Sequence, residues 1–344
     1  MEVRHYEITE DMAQRLNIVK FFLIVMVVLI HAEMPLDMNM QVPEYMTVCK
    51  NVIKDGICAI AVPSFFFISG FLLFSKEFTW RGNLKKKIRS MLLPYFLINS
   101  FWIIFFKGIR LFEFTKHFFL DEAYQIDGIK KILEAYLNPM PLYYPFWFLR
   151  DLIILNIFAK GIQIVIDKLP IISFGVMLAV CLNIIHIPIL FSNSSLFMFS
   201  LSYYLIKYKW DIMRLNKIKC MYLGLVFCGF IFVKLWICDL GVVTLIYELT
   251  GLSFFYQLAG KIRKGRLCKP ILWCSQFTFF IYAFHEFYEA MLKKIVMTVF
   301  PQYGYVQLME FFMIPIFIVA MCIVVGAVMK KWVPAVYCLI CGYR

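Results

Sequence analysis

Charge is what this sequence is shortest of. Asp, Glu, Lys and Arg make up 17% of its 344 residues, where a soluble domain carries roughly 25%. Its 11 cysteines include one C-x-x-C, Cys338 to Cys341, with no second pair to complete a metal-type set, so no disulfide framework is written into it and no metal site is expected. No basic helix or RNA-binding signature lies between the apolar runs, which sets nucleic acid aside as a partner. Low-complexity segments and internal repeats are also missing. These absences exclude a disordered chain and a disulfide scaffold, and they leave little room for a soluble enzyme.

What fills the chain is apolar. Hydrophobic residues are 62% of it and the mean hydropathy is +0.77. Its 37 Phe, 19 Tyr and 7 Trp exceed what one aqueous core would bury without a sticky surface. Cys181, Cys228 and Cys322 sit inside apolar runs and read as small hydrophobes. The expected class is all-α: a polytopic membrane helix bundle.

Apolar runs of spanning length occur at about 18–33, 57–75, 89–106, 146–166, 170–189, 194–208, 219–238, 242–260, 270–288 and 308–329, giving about ten transmembrane helices. The polar start, Met1 to Asn17, is too long for the head of a signal peptide, and no small-residue cleavage site follows the first run. With ten spans, 24 Lys and Arg fall on the side holding both termini and 11 on the other. Positive charge marks the cytoplasmic side, so both termini are expected there. Residues 107–145 form an external loop, in which Ile126 to Leu137 has the pattern of a short amphipathic helix on the membrane. The whole chain, 1–344, reads as one membrane domain without a separate soluble part. It is expected to be a multi-pass protein of a bacterial inner membrane or a plasma membrane, with membrane lipid as its surroundings.

Ionisable residues inside spans are costly, and each is a functional candidate. Lys20 and His31 are eleven residues apart on one helix, about 16 Å along the axis and nearly on one face. His285 lies near the outer end of the ninth run, and Arg150 and Asp151 lie in the first turns of the fourth. Those four residues form an expected outer layer. Lys20, Arg89 and the run Lys85-Lys86-Lys87 form an inner basic layer, with Ser69-Gly70 somewhat above it. Each has a plainer reading. A lone histidine near a helix end is commonly interfacial, Arg150 with Asp151 makes an ordinary ion pair, and the Lys85–Arg89 run is a positive-inside anchor. Glu33 and Glu286 read as solvated. His5, His117 and His186 have no informative context.

Five motifs in order change that balance. Asn17-x-x-Lys20-Phe-Phe-Leu-Ile-Val-Met-Val-Val-Leu-Ile-His31 resembles the first helix of the membrane-bound acyltransferase-3 family, which typically has an Arg, ten residues and a His. Pro63-Ser-Phe-Phe-Phe-Ile-Ser69-Gly70, Lys87-Ile-Arg89-Ser-Met-Leu-Leu-Pro94-Tyr95, Phe146-Trp147-Phe148-Leu149-Arg150-Asp151 and Thr278-Phe-Phe-Ile281-Tyr282-Ala-Phe-His285 resemble its later motifs. One departure is plain: Lys20 stands where the family has Arg, keeping the charge but losing the bidentate fork.

The resemblance implies transfer of an acyl group, usually acetyl, from acyl-CoA to a hydroxyl of a surface or lipid-linked glycan. No cofactor would be bound permanently; acyl-CoA would be a co-substrate and the saccharide a partner. Lys20, Arg89, Lys86 and Lys87 would then meet the donor's phosphates, with Ser69 nearby, also a possible covalent carrier. His31 would be the general base, His285 its partner or substitute, and Asp151 or Glu33 would orient the imidazole. Arg150 or Trp147 would hold the sugar, with Glu33 at the same layer. The competing class is a transporter or flippase, against which the missing inverted repeat counts.

Overall fold

A computed structural model describes residues 6–32, 43–109, 128–138, 143–190, 192–300 and 304–343. Among them there is helix and turn and no strand. The helices are α1 (Glu10–His31), α2 (Glu44–Phe74), α3 (Trp80–Gly108), α4 (Gly128–Leu137), α5 (Phe146–Lys168), α6 (Pro170–Cys181), α7 (Asn193–Lys207), α8 (Cys220–Ile237), α9 (Gly241–Arg263), α10 (Cys268–Ser275), α11 (Thr278–Val299), α12 (Gly304–Trp332) and α13 (Pro334–Ile340). Their starts follow local rules. Thr9 caps α1 by accepting from the Met12 amide at 3.3 Å, and Glu10 and Asp11 sit in the first turn where the helix dipole favours anions.

Six of these helices are long and apolar enough to cross a membrane: α1, α2, α3, α8, α9 and α12. Ten were expected, and the other four runs differ for definite reasons. In α5 the first 18 residues already hold Arg150, Asp151 and Lys160. The run 170–189 is helical only to Cys181, because Asn183 turns left-handed at φ 59° and ends it. The run 194–208 gives the 15-residue α7, short for a span. The run 270–288 is broken into α10 and α11 at Gln276-Phe277, and α11 carries Glu286, Glu289, Lys293 and Lys294.

Helix α1 is the hub, packed against α2, α9, α10, α11 and α12. Ile18, Val19, Leu23, Ile24 and Val28 along it are buried. A close helix-on-helix approach elsewhere is α2 on α7. A Cβ on Gly70 would sit 2.5 Å from the Phe199 carbonyl oxygen and 2.4 Å from Ser202 Oγ, so only glycine allows the two backbones this close. The Ser-Gly pair read from the sequence is therefore, at Gly70, a packing device.

Contacts also fix which helix ends lie together. Asp11 pairs with Arg15 at 2.9 Å and with Arg263, and Arg15 donates to Asn216 at 2.8 Å. Lys330, near the end of α12, donates to Gln276 just before α11 begins (2.8 Å). Further along α11, Lys293 reaches the main-chain carbonyl of His31. The start of α1 and the end of α12 thus lie toward one end of the bundle, and His31 and His285 toward the other.

At that second end, α4 seats its Tyr136 hydroxyl on Ser100 at 2.7 Å and leaves Ile129, Leu133 and Leu137 exposed. Such a face suits lipid rather than water. Residues 110–127 and 139–142 of the expected external loop lie outside the described residues.

Candidate active site

The two helices that meet at this end each contribute one histidine. His31 is the last residue of α1, and its Nδ1–H donates to the Val27 carbonyl one turn back, at 2.7 Å. That bond puts a proton on Nδ1, so in the neutral ring the lone pair is on Nε2. Nε2 faces Glu286 Oε2 at 3.8 Å, with His31 and Glu286 side chains 19% and 33% exposed. His285 is sealed, with 0% exposure. Its Nδ1–H is shared between the carbonyls of Ile281 (3.1 Å) and Tyr282 (3.0 Å), and its Nε2 is buried with no hydrogen-bond partner among the described residues. The two rings meet edge to face, 5.2 Å between centres.

Around the pair stands a polar and aromatic frame. Lys293 holds the carbonyl of His31 and pairs with Glu289 at 3.4 Å, a carboxylate that is 1% exposed. Its ammonium thus ties the end of α1 to α11. Tyr143 receives the Glu286 amide at 3.2 Å, Tyr282 donates to the Pro145 carbonyl at 2.7 Å, and Tyr144 stands 6.2 Å from the His31 ring. The start of α5 is thereby docked on the histidine-bearing helix. Trp102 of α3 closes the wall, stacked on Tyr143 and 4.5 Å from Phe287.

Of the residues expected in the outer layer, the structure brings His31 and His285 together. Arg150 and Asp151 are at the same end but serve differently. Asp151 is fully buried; it pairs with Arg150 at 3.2 Å and accepts from the Ser192 amide at 3.2 Å. Arg150 also donates to the carbonyls of Leu137 (3.2 Å) and Ile189 (3.0 Å). Together they staple α4 and the chain before α7 to the top of α5. Trp147 is half-buried on α5, and Glu33 lies outside the described residues. The carboxylate beside His31 is Glu286, which the sequence reading set aside as solvated. Its signal was present in the spacing Glu286-x-x-Glu289-x-x-x-Lys293, acids and a base on an apolar helix after a histidine.

The inner layer is spread over several elements. Lys20 is half-buried on α1, Lys87 half-buried, and Lys86 and Arg89 exposed on α3. Arg89 falls in a π-helical turn, Ile88–Leu92. Ser69 is half-buried on α2 beside Gly70.

Comparison with known proteins bears on the motifs directly. A family model described as an acyltransferase domain matches residues 14–330. The chain belongs to the acyltransferase-3 family. Comparison with curated proteins and with solved structures gives no match. The acyltransferase-3 match runs from the first turns of α1 to the last of α12, so both histidines, the basic layer and the α5 motif all lie inside it. With six helices among the described residues fit to cross a membrane, this acyltransferase-3 chain is a membrane acyltransferase.

Proposed function

We propose that the protein transfers an acyl group, acetyl in the first instance, from cytoplasmic acyl-CoA to a hydroxyl of a cell-surface or lipid-linked glycan. In this reading the chain ends face the cytoplasm, and the donor's phosphates meet Lys20, Lys86, Lys87 and Arg89 there. Lys20 lies eleven residues below His31 on α1, a span of about 16 Å, so a long thin donor reaches from the basic layer to the histidines.

One observation carries the chemistry. The His31 tautomer is fixed by Val27, and its free Nε2 points at a carboxylate 3.8 Å away. Two acceptors at that separation leave room for a group that brings a proton, which is what an acceptor hydroxyl does. His31 Nε2 takes the hydroxyl proton as the oxygen attacks the thioester carbonyl. The new C–O bond forms, the C–S bond breaks, and the imidazolium returns its proton to the departing thiolate of coenzyme A. Glu286 stabilises that imidazolium while it lasts, and the orienting role expected of Asp151 passes to Val27 and Glu286. His285, locked by two carbonyls and sealed, acts as the wall against which the His31 ring is held. Arg150 and Asp151 support the outer rim on which the saccharide rests, with Trp147 beside it.

The test is mass spectrometry of surface glycans from cells with and without the chain, combined with transfer to a purified acceptor. Wild type should add one acyl mass. His31→Gln keeps a hydrogen-bonding group but cannot take the proton, and should cut transfer by roughly 10²–10⁴-fold at matched abundance. A His31→Gln enzyme retaining more than about a tenth of wild-type turnover would remove His31 from the base role.

A further inference from the structure

We propose that His31, His285 and Glu286 also form a zinc-binding site, and that a bound ion holds the transferase inactive. The inhibitory half rests on His31 as the base; the binding half does not. One ring nitrogen of each histidine and a Glu286 oxygen lie within 4.8 Å of one another. Two imidazoles and a carboxylate are a zinc donor set that leaves a fourth position open for water.

The tautomers agree with it. Metal-binding histidines hold their second ring N–H on a carbonyl or carboxylate, which turns the other nitrogen's lone pair toward the ion. Val27 does this for His31, and Ile281 and Tyr282 do it for His285. His285 Nε2 and Glu286 Oε2 are both buried atoms with no hydrogen-bond partner among the described residues. A buried orphan acceptor is unfavourable unless something occupies it. Two imidazoles on one tetrahedral zinc, with Zn–N about 2.0–2.1 Å, stand with their ring centres about 5 Å apart; here the centres are 5.2 Å apart.

Closing the site is a small movement. Donor atoms on a tetrahedral zinc are roughly 3.3 Å apart, against 3.8 Å between His31 Nε2 and Glu286 Oε2 and no more than 4.8 Å within the trio here, so small side-chain shifts, above all of the one-third exposed Glu286, draw the donors together. The nearby charge is favourable: Lys293 is paired with Glu289, which leaves Glu286 to offset the dication. Access is through His31 and Glu286, since His285 is sealed. Once coordinated, His31 Nε2 has no lone pair for a proton. The sequence pattern hid this trio, because its donors come from helices more than 250 residues apart.

The experiment titrates purified protein in detergent with Co²⁺ as a spectroscopic probe and Zn²⁺ as competitor, then measures transfer with and without Zn²⁺. Expected are visible d–d bands of a tetrahedral site, one ion per chain, and reversible loss of transfer restored by a chelator. His285→Ala should weaken binding at least tenfold, since even outer partners of metal ligands cost 10–100-fold. Glu286→Gln, at a partly exposed position that tolerates an isosteric change, should do likewise and carries the test if His285→Ala fails to fold. No binding, binding unaltered in these variants, or a thiolate-to-cobalt charge-transfer band pointing to the cysteines would overturn the site. Binding by the trio with full transfer activity would instead keep the site and sink His31 as the base.

Discussion

His31 and His285 come from opposite ends of the chain and meet edge to face, each giving its Nδ1 proton to a carbonyl of its own helix. Two locked tautomers side by side present two Nε2 lone pairs to one small space. The arrangement suits proton acceptance, and it makes the neighbouring carboxylate consequential.

Glu286 is the first residue to change. With a neutral amide in place of the carboxylate, the imidazolium on His31 loses its partner at 3.8 Å. Glu286→Gln should lower kcat by roughly tenfold to a hundredfold, the range for losing a charge-assisted contact of about 1.5–3 kcal/mol. The KM for acyl-CoA should hardly move. Steady-state kinetics at saturating acceptor checks this; a changed KM with unchanged kcat would place Glu286 in donor binding instead.

Arg89 should report on the donor. Arg89→Ala is expected to raise the KM for acyl-CoA by roughly tenfold to a hundredfold and leave acceptor dependence alone. Lys20→Arg should be tolerated or bind the donor more tightly, because the guanidinium fork matches a phosphate better than an ammonium does. Initial rates over a range of acyl-CoA concentrations decide both. Unchanged donor kinetics in Arg89→Ala would reduce the basic run to a topology signal.

Gly70 tests the packing. Its added Cβ would press on the Phe199 carbonyl at 2.5 Å, main chain that cannot swing aside. Gly70→Ala should destabilise by about 1–3 kcal/mol, read as a lower melting temperature in detergent. Gly161→Ala, where nothing lies within 4 Å, should melt with wild type. Equal melting of the two variants would mean α2 and α7 are less tightly packed than described.

Much of this was legible in the chain. Helix class followed from composition, and His31 and His285 stood out because an imidazole in an apolar run needs a reason to be there. The motifs pointed to the family before any helix was placed. What stayed hidden depends on contact between distant segments. Glu286 follows His285 in sequence, but about 100° of helical turn separates neighbours, so only the arrival of α1 shows that both face His31. Asp151 and Arg150 read as site residues, whereas their partners, Ser192, Leu137 and Ile189, are main-chain groups that no side-chain pattern reveals. Of the ten runs, six are helices long and apolar enough to cross a membrane among the described residues, and hydropathy does not register Asn183's left-handed turn or the break at Gln276-Phe277, which shorten two of the others.

The π-turn at Ile88–Leu92 has a consequence for register. A π-turn carries one residue more than an α-turn, so α3 holds a spare residue just where Arg89 sits. Removing that residue would let the helix run on without the bulge, but everything beyond it would rotate by about 100°. Tyr95 would turn from Phe146, and Trp102 from Tyr143 and Phe287. The bulge therefore works as a phase shifter: it lets one continuous helix aim a basic residue at one depth and an aromatic wall at another, in directions that an unbroken α-helix of this sequence would not provide.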